Sequence, residues 1–157
     1  MKELVTRSGG AGRTSYVVHL GKDERALLVR LCEELREVVT GPADPASVQR
    51  LFPVVHPDEP GMEAEYQRLM RDELIASRLG AIEVVVEVLG GGGRRLTLDE
   101  AQLHALVQSV NGVRLVLGTV LEVSDDDEDR PELVGQPEYE LYAYLSWLLD
   151  SAVRAMS

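Results

Sequence analysis

A chain of 157 residues suits one hydrophobic core, and 45% hydrophobic with 27% charged residues excludes a disordered or membrane-embedded composition. One Phe, one Trp and five Tyr leave that core to be built from Leu and Val. A net charge of −11 and a pI of about 4.7 run against the basic surface that nucleic-acid binding requires, so direct nucleic-acid contact is disfavoured.

The first twenty residues carry Lys2, Glu3, Arg7 and Arg13 and lack the apolar stretch of a signal peptide. No run reaches the roughly 18 apolar residues of a membrane helix, so a cytoplasmic protein without membrane contact is expected. Leu4 to Arg7 and Tyr16 to Leu20 are β-rich and flank Ser8-Gly9-Gly10-Ala11-Gly12-Arg13, which predicts an N-terminal β-hairpin with a loose turn. Two strands are marginal alone and must lie against a helix.

From Asp23 the apolar residues Leu27, Leu28, Leu31, Cys32, Leu35, Val38 and Val39 recur at spacings of three and four, one face of a helix that Gly41-Pro42 stops. Asp44-Pro45 offers an N-cap and a proline at the first helical position, opening a short helix closed by Pro53. After the turn chemistry of His56 to Gly61, the spacing of Met62, Tyr66, Leu69, Met70, Leu74 and Ile75 predicts a long helix. It continues through Leu79, Ile82 and Val86, despite the β-branched run Val84 to Val86, and stops at Gly90 to Gly93.

Arg94 to Thr97 reads as extended, and Thr97 with Glu100 as a capping box. The helix that follows presents Leu103, Leu106, Val110, Val113, Leu117 and Leu121, with Gly118 available for close approach of another backbone. Residues 124–135 form an acidic surface loop: Glu122 to Glu140 hold nine acidic residues against one Arg, a net of −8 that leaves only −3 for the rest of the chain. After Pro137 a last helix presents Leu141, Tyr142, Leu145, Leu148, Leu149 and Val153. The expected fold is mostly α, a helical bundle of about four long helices with an N-terminal β-hairpin, in a single domain over residues 1–157.

Catalytic or metal chemistry finds little footing. Asp125, Asp126, Asp127, Glu128 and Asp129 suggest calcium, but an EF-hand loop starting at Asp125 would need Gly where Arg130 stands and Glu where Gln136 stands. A solvated charge run able to dock a basic partner is the reading retained. His19, His56 and His104 lie in separate elements without ligand spacing. Gly90 to Gly93 before Arg94 and Arg95 lacks the Gly-Lys-Ser/Thr ending of a phosphate loop, and no Gly-x-Ser-x-Gly occurs. Catalytic residues, cofactors and metals are therefore all expected to be none.

Two residues stand out on physical grounds. Cys32, the single cysteine, has no partner for an internal disulfide and falls on an apolar helix face, where a thiol packs as a small hydrophobe. Arg114 lies among Val113, Leu115, Val116 and Leu117, where an unpaired guanidinium would be costly, and the predicted partner is Glu73 of the preceding long helix.

Asp23-Glu24-Arg25-Ala26-Leu27-Leu28, Arg50-Leu51-Phe52-Pro53, Asn111 to Gly118, and Tyr142 to Leu148 with Trp147 together resemble an actinobacterial family of unknown function. That family is encoded near the ClpS proteolytic adaptor, and its characterised branch comprises the AosR-like oxidative-stress transcriptional regulators. The resemblance spans nearly the whole chain and rests on helix-packing signatures. It implies a non-enzymatic regulator that meets a protein partner of the transcription machinery and responds to oxidation through cysteines. The single Cys32 departs from the last point, because only pairing between protomers, in a homodimer, could link it. An adaptor or accessory factor in regulated proteolysis is the alternative that the gene neighbourhood implies.

Overall fold

Three short strands make one antiparallel sheet in a computed structural model that describes residues 4–10, 13–41, 58–91, 94–121 and 137–157. Strand β1 (Val5–Gly10) pairs with β2 (Arg13–His19), and β2 pairs with β3 (Arg95–Leu98), giving the order β1-β2-β3. Tyr16 and Val18 of β2 and Leu96 and Leu98 of β3 are buried on one face, with His19, Arg95 and Thr97 exposed, while Val17 on the other face of β2 is buried as well.

The ladder is longer than the sequence suggests. It runs from Val5 opposite Val18 out to Gly10 opposite Arg13, so Ser8, Gly9 and Gly10 belong to a strand rather than to a loose turn. Ladder bonds use only backbone groups, which Gly supplies as well as any residue once Val5 and Val18 set the register. The Ser15 hydroxyl adds a bond to the Ser8 carbonyl at 3.3 Å.

Four long helices are described: α1 (Lys22–Thr40), α2 (Pro60–Leu89), α3 (Glu100–Leu121) and α4 (Pro137–Met156). The fold is thus mostly helical with a small N-terminal sheet, and Val84 to Val86 are helical within α2. The short helix expected after Asp44, His56 and the acidic loop 124–135 lie outside the described residues. None of the described helices is long and apolar enough to cross a membrane.

Helix α3 is the hub. It packs on α1, α2 and α4 and reaches β2 and β3, and its Leu103, Leu106 and Val110 are buried at the centre. Helix α1 contributes Leu28, Leu31, Cys32, Leu35 and Val39, α2 contributes Ala81, Ile82, Val85 and Leu89, and α4 contributes Leu145, Leu148, Leu149 and Ala152. Two apolar residues expected on buried faces lie outside them: Met62 and Val153 are each 51% exposed.

The start of α3 also differs from expectation. Its capping box is Asp99 with Gln102, the Gln102 amide donating to the Asp99 carboxylate at 2.8 Å and the Asp99 amide to Gln102 Oε1 at 2.9 Å. Thr97 is a strand residue instead, because burying Leu96 and Leu98 on one face of β3 keeps the chain extended through Leu98.

Candidate functional site

Side chains of Asp23 to Leu28 and of Asn111 to Gly118 each reach the segment Tyr142 to Leu148 of α4. In Asp23-Glu24-Arg25, the Glu24 carboxylate accepts a hydrogen bond from the Tyr144 hydroxyl of α4 at 2.7 Å. Burial raises the Tyr144 phenol above its ordinary range, and the Glu24 hydrogen bond and charge raise it further. Tyr144 in turn stands edge-on to Trp147, centroids 6.3 Å apart.

Arg25 is buried and sends Nη2 toward the Val88 carbonyl at 3.4 Å, at the end of α2. No basic residue stands in the last turn of α2, so α1 supplies the cation that the negative end of that helix favours. Sequence reasoning passed over Arg25. The signal was its spacing to Leu28 and Cys32, which places it on the apolar face of α1.

Arg114 and Glu73 are not brought together. Arg114 is half-buried and turns to α4, with Nη1 at 3.5 Å from the Ser146 hydroxyl and its guanidinium 5.9 Å from the centre of the Tyr142 ring. Nη2 donates to Asn111 Oδ1 at 3.1 Å on its own helix, and Glu73 is exposed on α2. The correction follows from helix geometry: Val110 and Val113 face the core, and the next position along falls on the flank facing α4 rather than α2. An aromatic face and two neutral oxygens stand where Glu73 was expected, and the buried Nε of Arg114 has no hydrogen-bond partner among the described residues.

Between Asn111 and Arg114, Gly112 permits the close packing of three helices. A Cβ there would stand 3.0 Å from both Leu35 Cδ2 of α1 and Arg78 Nη1 of α2. Gly118 is buried as well.

Cys32 is buried in the core, and its thiol is pushed up to about 11, first by burial and then by the Glu33 carboxylate, with Arg36 opposing. His19 and His104 are exposed, His104 near Glu100 at 3.7 Å. Among the described residues no group of His, Cys, Asp and Glu is placed to hold a metal ion.

An apolar groove lies farther along α1, α3 and α4. Leu31, Leu35 and Val38 of α1, Val113, Val116 and Leu117 of α3 and Leu141 of α4 line its volume of about 200 Å³, with Glu34 at its edge.

The model of the family described as Domain of unknown function (DUF2017) matches residues 1–156. The chain belongs to that family. The DUF2017 chain is also similar to the oxidative stress regulators AosR of Mycobacterium bovis and Mycobacterium tuberculosis, at 27% identity over 165 residues. The aligned stretch covers 82% of this chain and 73% of each of those relatives. A Mycobacterium leprae relative that also bears the AosR name is 29% identical over 146 residues, which cover 76% of this chain and 65% of that protein's length. No solved structure matches the chain. The relatives' names are those of regulators.

Proposed function

We propose that this chain is a non-enzymatic regulator in oxidative-stress control of transcription that acts by contact with a protein partner. The observation that carries the reading is the likeness to the AosR regulators, which extends over 82% of the chain. The placement of side chains supports it: Glu24, Arg25, Tyr144 and Arg114 bind helices to one another and so serve a fixed shape. A fixed shape is what a partner recognises. Sensing by an internal disulfide does not carry over, because the single thiol, Cys32, is buried and its thiolate is strongly disfavoured.

Affinity capture with the full chain from a native lysate at low salt tests this reading. Recovery of a component of the transcription machinery is expected, with altered transcript levels after oxidant when the gene is removed. Recovery of no partner, or of proteolytic components alone, overturns it.

A further inference from the structure

We infer that the cleft between the first turns of α1, the end of α2 and the start of β3 binds a small amphipathic anion, a phosphate monoester with a short apolar body. Lys22 and Arg94 hold its head, and Ala26, Val29 and Leu89 receive its body. The inference goes beyond the regulatory reading and does not depend on it.

Two hydrogen bonds bring three separate segments to this cleft. The Leu20 amide donates to the Arg94 carbonyl at 3.0 Å, which sets Arg94 beside the start of α1. Arg25 Nη2 reaches the Val88 carbonyl at 3.4 Å, which sets the first turns of α1 beside the last turn of α2. Lys22, Arg25, Ala26 and Val29 then stand at i, i+3, i+4 and i+7 on one face of α1 and, with Leu89 to Gly91 and Arg94, line a space of about 580 Å³. Small-molecule sites run to roughly 300 to 1,000 Å³ and combine an apolar lining with a few placed charges, as this one does.

The charges select an anion. Lys22, Arg25 and Arg94 line the cleft and no acidic residue does. Arg25 is buried and committed to the end of α2, whereas Lys22 and Arg94 are exposed and, among the described residues, neither pairs with a carboxylate. The nearest acids in sequence lie elsewhere: Asp23 and Glu24 line an adjoining cavity that shares Lys22 and Arg94, Glu24 accepts from Tyr144, and Glu87 is exposed outside the lining. The Arg94 fork suits two phosphate oxygens and the Lys22 ammonium acts as a point charge, so the two together match a dianion better than a carboxylate. The run at Gly90 lacks the lysine of a phosphate loop in sequence, and α1 brings Lys22 to the same cleft in space. An apolar body on the phosphate gains further by covering Val29 and Leu89.

Hexyl phosphate, titrated into the full chain at low salt, is the probe, beside inorganic phosphate, hexanoate, hexanol and hexylamine. It is expected to shift the Gly91 amide and the Val29 and Leu89 methyl resonances and to bind at least about tenfold more tightly than any of those controls. Arg94→Gln keeps the backbone bond to Leu20 and is expected to weaken binding by about tenfold, and Lys22→Gln by a few-fold, both differences shrinking at high salt. Ala26 is exposed on α1, so Ala26→Glu puts a carboxylate in the cleft and should abolish binding, while Ala26→Gln, of nearly the same size, should retain most of it. Melting of each variant shows that it folds, and the Glu and Gln pair separates charge from bulk. Shifts confined to other surfaces, binding of hexanol, hexylamine or hexanoate equal to that of the ester, or undiminished binding by Arg94→Gln and Ala26→Glu overturns the inference. Sedimentation of the chain with anionic phospholipid vesicles, without binding of the free ester, overturns it as well, since the cations would then serve a membrane surface.

Discussion

The two ends of the α1–α3 pair differ. Toward the sheet the core is closed around Leu28, Leu103 and Leu106, which are buried, and the Val5 amide reaches across to α4, donating to Ser151 Oγ at 3.0 Å. Toward the C-terminal end of α1 the same two helices carry equally apolar residues, but Val38, Val116 and Leu117 are only half-buried and border the groove. Similar sequence chemistry thus serves two purposes, because burial depends on whether a third layer lies across the pair.

Substitutions that shorten an apolar side chain should separate the ends most. Leu103→Ala is expected to cost about 2 to 5 kcal/mol, whereas Val116→Ala costs about 1 kcal/mol or less, both read from urea melts. Equal costs would mean that the groove is as tightly packed as the core.

Cys32 sharpens the contrast by pH, since it lies next to Leu31 in sequence but on the sealed side. Its folded-state pKa is raised from 9.0 to about 11, so the unfolded chain releases the proton first. Stability is therefore full below pH 9 and falls between about pH 9 and 11, by about 2 to 3 kcal/mol from this group. Cys32→Ala should flatten that part of the profile, although Tyr144, also raised, adds to the alkaline loss. Ready reaction of Cys32 with a thiol reagent under native conditions would contradict the assignment.

Ser151→Ala removes the acceptor of a buried amide and should cost about 1 to 3 kcal/mol, with faster hydrogen exchange at Val5. The smallest effects come from two glycines within helices. Gly80 is exposed with nothing within 4 Å of a new Cβ, so Gly80→Ala should stabilise by about 0.5 to 1 kcal/mol. At Gly112 the same gain in helix propensity is set against crowding of Leu35 and Arg78, and Gly112→Ala should show no gain and a loss of up to about 2 kcal/mol.

Much of this architecture is legible in the residues. The spacing of Leu103, Leu106, Val110 and Val113 gives both the helix and its buried face, and Gly41-Pro42 marks the end of α1 to the residue. Other features are not. The Asp99–Gln102 cap and the Thr97–Glu100 alternative are both sound local chemistry, and β3 decides between them because Leu96 and Leu98 must face the core. Arg114 announced that it needed a partner without saying which, since a flank position on α3 could face either neighbouring helix. Val153 fits the apolar spacing of α4 as well as Ala152 does, and only the packed neighbour shows that the smaller residue lies inside.

By itself, then, the sequence determined the number and span of the long helices, the aliphatic nature of the core, the acidic balance and the family signature, since periodicity, helix stops and charge act within a few residues. The tertiary structure decided that β3 joins the hairpin, that Arg25 caps α2, that Arg114 meets Tyr142, and that the α1–α3 pair is sealed at one end and grooved at the other. Each of those depends on residues distant in sequence meeting in space, where burial and electrostatics act over distances that local pattern does not encode.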